Sequence, residues 1–191
     1  MRKIFLDIGG WNGASAEFFL KYHPESKFYE IFTFEPDREN IRDIKKKNLP
    51  ITLIPKSAWS NNGIMKFYPG GAMKGSGGTM YSQKTTGNIN PKKFYEVQTI
   101  DIAEFIKNNF IESDYIIMKM NCEGCEYEII PHLQIRGLIP WMNKWFIQWH
   151  WEKLRMKQPD HLKISKLIPE FYEWDCQCHE SRFKTKFLES L

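Results

Sequence analysis

The chain has 191 residues, a formal net charge of +4 and four cysteines. That length holds one domain with a full hydrophobic core and excludes two domains of ordinary size. A hydrophobic share of 42% with 15% aromatics and mixed charge excludes a disordered or fibrous chain, and no apolar stretch reaches the length of a membrane span. The basic clusters Lys45-Lys46-Lys47 and Lys92-Lys93 read as solvated faces, so neither a nucleic-acid nor a membrane partner is expected. Arg2-Lys3 leads straight into Ile4-Phe5-Leu6, with no signal-peptide core or cleavage site. The expected location is cytoplasmic, with all four cysteines reduced.

In chain order, strands and helices alternate, the pattern of a parallel α/β sheet. The first strand is expected over Lys3 to Ile8. It breaks at Gly9, Gly10 and Gly13 into a helix from Ala14 to Tyr22, with Asn12 as N-cap. A glycine turn of this kind lets backbone approach a ligand closely, and the helix N-terminus behind it favours electron-rich groups. A second strand, Ile31-Phe32-Thr33-Phe34, ends in Glu35. This acid stands about 20 residues past Gly13, the spacing at which a carboxylate takes the two hydroxyls of a ribose.

Asp37 then caps a helix running to Lys47, and a third strand spans Ile51 to Ile54. The turn Asn61-Asn62-Gly63 joins to an extended excursion over Ile64 to Tyr68. Pro69 to Lys93, rich in Gly, Ser, Thr, Asn and Lys, is expected to be a mobile loop or lid. Val97 to Ile100 leads into a helix from Asp101 to Asn108. A fourth strand, Tyr115 to Met120, runs into Asn121-Cys122-Glu123-Gly124, and a helix follows from about Glu126. The fifth strand is expected over Lys144 to Trp151, then a helix from a cap at Asp160 to about Glu170. Tyr172 to His179 and Phe183 to Leu188 are expected to pair as an antiparallel hairpin at a sheet edge. Residues 1–191 read as a single domain without internal repeats.

The turn also discriminates among cofactors. It reads Asp7-x-Gly9-x-x-x-Gly13 rather than Gly-x-Gly-x-x-Gly, and the chain contains no Gly-Lys-Ser/Thr, which disfavours pyrophosphate and triphosphate. A carboxylate at the strand end repels phosphate and suits a cationic amine. S-adenosylmethionine (SAM) meets these conditions, with an amine, a sulfonium, a ribose and no phosphate. The competing reading is a plain tight turn with Asp7 as an ordinary cap.

Five ordered segments carry a family resemblance. They are Asp7-Ile8-Gly9-Gly10-Trp11-Asn12-Gly13, Phe34-Glu35-Pro36, Ser57-Ala58-Trp59-Ser60-Asn61-Asn62-Gly63, Thr99-Ile100-Asp101 and Met118-Lys119-Met120-Asn121-Cys122-Glu123-Gly124-Cys125-Glu126. Together they resemble the FkbM-type SAM-dependent methyltransferases over roughly the first two-thirds of the chain. The resemblance implies a Rossmann-like, seven-stranded, mostly parallel sheet with helices on both faces and the terminal hairpin at its edge. It implies SAM as methyl donor, S-adenosylhomocysteine as product, and O-methylation, often of a sugar hydroxyl. Carried over, Asp7, Gly9 and Gly13, with Gly10 and Asn12 in the same turn, shape the pocket for the methionine part. Glu35 takes the ribose hydroxyls, Ser57 and Ala58 flank the adenine, and Asn121 lies beside the sulfonium.

The chain departs from the family pattern at two places. Asn121 and Gln148 are amides where the family usually carries acids. This weakens the case for a divalent metal, which wants carboxylate oxygens; a site held by Glu123, Asp101 or Glu152 is the disfavoured alternative. It leaves Glu123 and His150 as proton acceptors near Asn121. His150 is the first candidate base, because imidazole suits proton transfer near neutral pH and the C-terminal edge of such sheets carries the ligands. The bland alternative is a histidine satisfied among aromatics. Strand alternation through Trp145 to Trp151 puts Trp149 and Trp151 on one face, where an indole can stack on a sugar ring.

Cys122-x-x-Cys125 with Cys176-x-Cys178-His179 is a rival zinc set, less favoured because free cysteine is common in cores. The leading reading is an O-methyltransferase acting on a sugar of a larger glycan. The others are methylation of an RNA ribose, a protein or a small metabolite, and a non-catalytic SAM-binding partner subunit.

Overall fold

The computed structural model describes residues 1–71 and 76–174. Its main sheet is built on β1 (Lys3–Ile8), whose side chains alternate between two faces. Ile4, Leu6 and Ile8 join a core layer with Met118, Met120, Trp145 and Ile147, while Phe5 joins a second layer with Phe19, Ile31, Ile117 and Phe146. Both faces are therefore apolar, as a parallel sheet covered on both sides requires. Helix α1 (Ala14–Tyr22) supplies Ala16, Phe18 and Phe19 to the second layer. Helices α3 (Ile102–Asn109) and α4 (Glu126–Ile135) supply Ile102, Ile106, Ile129, Ile130 and Leu133 to the first. Each such side chain contributes about 1.5–3 kcal/mol on burial.

The remaining strands are β2 (Tyr29–Phe34), β3 (Thr52–Ile54), β7 (Tyr115–Met120), β8 (Met142–Ile147) and β9 (Tyr172–Glu173). Sheet order is β3-β2-β1-β7-β8-β9, with every pair parallel. Among the described residues this is a six-stranded sheet rather than the seven expected. The first of the two late strands lies beside β8 as β9. The rest of the expected hairpin, with Phe183 to Leu188, lies outside the described residues.

A second, three-stranded sheet corrects the reading of the middle of the chain. β4 (Ser57–Trp59) and β5 (Gly63–Phe67) flank β6 (Tyr95–Asp101), parallel and antiparallel to it respectively. The excursion after Asn61 is thus one strand of a sheet. Its turn is fixed from β6, since the Thr99 hydroxyl donates to the Asn61 carbonyl (2.9 Å) and the Asp101 amide to Asn62 Oδ1 (3.1 Å).

Caps and ends follow local chemistry with a few shifts. Asp37 caps α2 (Arg38–Lys47), accepting the Glu39 and Asn40 amides, and Asp101 caps α3 in the same way. The cap position of α1 is Gly13 rather than Asn12, although Asn12 Oδ1 accepts the Ala14 amide at 3.1 Å. β8 ends at Ile147, three residues short of His150, because the His150 amide turns inward to Glu126. Helix α5 spans Gln158–Ser165. It starts earlier than expected because Pro159 sits in its first turn, where the missing N–H costs nothing.

Candidate functional site

Strand order reverses direction between β1 and β7, and in parallel sheets that switch point opens a crevice at the strand C-termini. A cavity of about 320 Å³ lies there, within the ordinary range for small-ligand sites. Gly9 after β1, Glu35 after β2, Ser57 and Ala58 from β4, and Asn121 to Glu123 after β7 all line it. Five separate chain segments named from the sequence converge on one space, Gln148 after β8 being the fifth.

The glycine turn approaches the neighbouring strand closely. Gly9 has φ 81°, and a Cβ on it would overlap the Asn121 carbonyl oxygen. The Gly9 and Gly10 amides both donate to the Phe34 carbonyl (3.0 and 3.1 Å), tying the turn to the end of β2. Gly9 faces the cavity; Gly10, Asn12 and Gly13 shape the turn without lining it.

Asp7 does not line the cavity either. It is fully buried and pairs across the β1–β7 register with Lys119, whose Nζ lies 2.8 Å from Asp7 Oδ1. The Ser15 and Thr33 hydroxyls also donate to this carboxylate, at 2.8 and 3.2 Å. Lys119 Nζ holds the Gly9 carbonyl (2.6 Å) and lies over the Trp174 ring. The charge expected to meet a ligand amine is thus spent on a buried lysine that props up the glycine turn.

Glu35 does face the cavity, buried and surrounded by donors. Oε1 accepts the Asp37 amide (2.9 Å) and Asn40 Nδ2 (3.2 Å), and Oε2 accepts the Trp11 amide (2.8 Å). A carboxylate has roughly four acceptor sites, so Glu35 has room for one incoming hydroxyl rather than two. Burial pushes its carboxyl up to about 8, even though these hydrogen bonds pull the other way.

The turn between β7 and α4 carries Glu123, a candidate reactive group. Glu123 (φ 55°) and Gly124 (φ 122°) make it tight, and it brings Cys122 and Cys125 together as a disulfide. This corrects the expectation of four reduced cysteines. It also takes both sulfurs out of the zinc set, whose other members, Cys176, Cys178 and His179, lie outside the described residues. Glu123 Oε2 meets Lys84 Nζ at 2.8 Å, Lys153 Nζ at 3.5 Å and His150 Nε2 at 3.7 Å. Burial alone would raise the Glu123 carboxyl, but the charges of Lys84 and Lys153, with His150 in its protonated form, outweigh it and hold it below the usual range.

His150 sits behind Glu123 rather than in the cavity wall, buried with Nδ1 2.9 Å from Glu126 Oε1. Of the two, Glu123 is therefore the one that faces the cavity, and His150 touches it only through Glu123. Trp149 and Trp151 also lie away from the cavity. Both pack on His161, Trp151 stacked at 5.5 Å and Trp149 edge-on at 5.0 Å. Asp101 is spent on capping α3 and on His132 Nε2 (2.8 Å), and Glu152 does not reach the cavity, so these acids do not gather with Glu123.

The described parts of the 69–93 loop form a wall of the cavity. Ser76 to Met80, Lys84, Thr86 and Gly87 line it. The Thr79 hydroxyl donates to the Glu123 carbonyl (2.7 Å), Lys84 Nζ to the Gly77 carbonyl (2.6 Å), and the Thr85 amide to the Lys153 carbonyl (2.8 Å). Lys84, Lys153, Trp11 and Lys119 were missed by sequence reasoning. Only Lys119 carried a signal, as a lysine inside the apolar run Ile116-Ile117-Met118-Lys119-Met120, where an unpaired ammonium is too costly to bury.

A parallel sheet of this order, with a glycine turn and an acid flanking its switch point, defines a Rossmann-like α/β protein. The chain belongs to the FkbM methyltransferase family, whose domain model matches residues 7–177. Among solved structures it is similar to a methyltransferase FkbM from Methylobacillus flagellatus KT, at 15% identity and a TM-score of 0.43. That similarity covers 71% of this chain and 30% of the other, so the chain spans less than a third of that protein's length. No curated protein matches the chain. Among the described residues, no helix is long and apolar enough to cross a membrane.

Proposed function

We propose that this chain binds SAM in the switch-point cavity and methylates a hydroxyl of a sugar, within a glycan, with Glu123 as the base. The observation that carries the reading is the convergence of Gly9, Glu35 and Glu123 on one cavity. The residues present fit the cofactor. Glu35 has an acceptor site for a ribose hydroxyl, Ala58, Ile8 and Phe34 offer apolar surface to an adenine, and Gly9 and Asn121 border the same cavity. When bound, SAM supplies an electrophilic methyl group on sulfur.

The chain itself aligns the acceptor and takes its proton. Alignment of this kind is worth ~7–11 kcal/mol over the bimolecular reaction, and a positioned base adds ~10²–10⁴-fold. The lining includes the polar side chains Asn121, Gln148, Ser76, Thr86, Lys84 and Lys153 besides Glu123. These offer hydrogen bonds to the hydroxyls of an acceptor, which supports the sugar.

The test is calorimetric titration of S-adenosylhomocysteine, with NAD as comparison, followed by a screen of glycan acceptors for methyl transfer. Micromolar binding without NAD binding is expected. Near pH 9, where Glu35 is ionised, Glu35→Ala should lose about 1.5–3 kcal/mol of that affinity, roughly ten- to hundredfold; unchanged affinity there would sink the cofactor assignment. Binding with no transfer to any hydroxyl, amine or ribose would leave a non-catalytic subunit.

The raised Glu35 carboxyl gives a pH signature. Below about 8 the group holds its proton in the free protein, and above it the carboxylate becomes a full acceptor. Adenosine, which has no ionisable group in this range, should therefore bind up to about tenfold more tightly near pH 9 than near pH 7. Glu35→Gln should flatten that dependence; a pH dependence that survives the substitution places its origin elsewhere.

A further inference from the structure

Behind Glu123 lies a buried carboxylate to which no role has yet been given. Glu126, the first residue of α4, has no solvent exposure and does not line the cavity. Its Oε1 accepts the His150 amide and lies 2.9 Å from His150 Nδ1, and its Oε2 accepts the Gly124 amide at 3.0 Å. Two of these three donors are backbone N–H groups, which can only donate. With both oxygens serving as acceptors, Nδ1 carries the imidazole proton.

A proton at Nδ1 leaves Nε2 as the nitrogen that carries the lone pair of the neutral ring. Nε2 is buried without a hydrogen-bond partner among the described residues, and it points at Glu123 Oε2, 3.7 Å away. Glu123 already has two ammonium partners, Lys84 and Lys153. Its counter-charge is thus met without a third cation at Nε2. An orphaned buried nitrogen aimed at a cavity-lining carboxylate is otherwise a net cost, since a buried polar group without a partner forfeits its desolvation energy.

We propose that Glu126 is a positioning residue that fixes His150 as the Nδ1–H tautomer, making Nε2 the receiver of the proton that Glu123 takes from the acceptor. The inference rests on the reading of Glu123 as base given above. The hydroxyl proton passes to Glu123 Oε2 as the oxygen–methyl bond forms and the sulfur–methyl bond breaks. It then moves from Oε2 to Nε2, and the imidazolium so formed lies between the Glu126 and Glu123 carboxylates. Glu123 returns to its starting state with the proton held away from the reacting oxygen. Closure of the 3.7 Å gap to hydrogen-bond distance is the tightening that catalytic contacts commonly undergo on loading.

The test is long-range proton–nitrogen NMR of the full chain labelled with ¹⁵N-histidine, with His150 identified by the signal lost in His150→Asn. In the free protein the neutral ring of His150 should show Nδ1 protonated and Nε2 bare. In Glu126→Gln one oxygen must replace two acceptors, so the hold on the Nδ1 proton should weaken and a population of the Nε2–H form should appear. Affinity for S-adenosylhomocysteine should stay within about twofold, because Glu126 does not reach the cavity. A wild-type ring protonated at Nε2, neutral or cationic, overturns the relay whether or not the variant folds. Titration of S-adenosylhomocysteine reads the cofactor assignment separately, so the relay and the functional reading fail by different signals.

Discussion

Asp7→Ala is expected to destabilise the protein by about 3–5 kcal/mol, the cost of leaving a buried charge without its partner. The orphan would be Lys119, whose side chain is 1% exposed and whose remaining contacts are carbonyls, a hydroxyl and the Trp174 ring. Lys119→Met should be similarly damaging, since it strands Asp7 with only the Ser15 and Thr33 hydroxyls. The double variant should recover most of the loss, because a buried pair replaced by apolar groups is often close to neutral. Urea midpoints of the four proteins complete the cycle. A double variant no more stable than the worse single would show that the charges do not act as a pair. The consequence for function follows from Lys119 Nζ, which also holds the Gly9 carbonyl at 2.6 Å. Loss of the pair loosens the cavity's glycine turn from below, and weaker ligand binding should accompany the lost stability without any direct contact from Asp7.

Gly9→Ala should be far more harmful than Gly13→Ala, although both residues have positive φ, 81° and 88°. A left-handed alanine costs about 1–2 kcal/mol at either position. At Gly13 the added methyl meets only the flexible ends of Ile44, Leu49 and Lys47, at 3.4 to 3.6 Å. At Gly9 it overlaps the Asn121 carbonyl, so the ends of β1 and β7 must separate and the Asn121 amide bond to the Ile8 carbonyl (3.0 Å) must stretch. Overpacking of this kind adds about 1–3 kcal/mol. Because those strand ends form the cavity, binding of S-adenosylhomocysteine should fall by about a hundredfold or more in Gly9→Ala and by about tenfold at most in Gly13→Ala. Melting curves with ligand titrations decide it; equal effects at the two glycines would contradict the close approach.

Features whose physics is local were readable from the residues alone. β1 and β7 were legible to the residue because an apolar run bounded by polar and glycine residues has few other ways to satisfy its backbone. The caps at Asp37 and Asp101 were legible because a side chain two or three residues from the orphan amides is enough to place them. The glycine turn and Glu35 could be named because each must follow its strand directly. What lies near what at long range was decided by the tertiary structure. Asp7 and Lys119 stand 112 positions apart and meet only because β7 pairs with β1, an order no local pattern encodes. That pairing turned a residue expected to face the ligand into a prop beneath the turn. His150 and Glu123 could both be proposed as bases, but their relative depth depends on β8 ending at Ile147 so that the His150 amide folds inward to Glu126. The cysteine pair and the lysines around Glu123 follow the same rule. Periodicity and capping are decided within a few residues, whereas charge pairing and burial depend on which distant segment folds alongside.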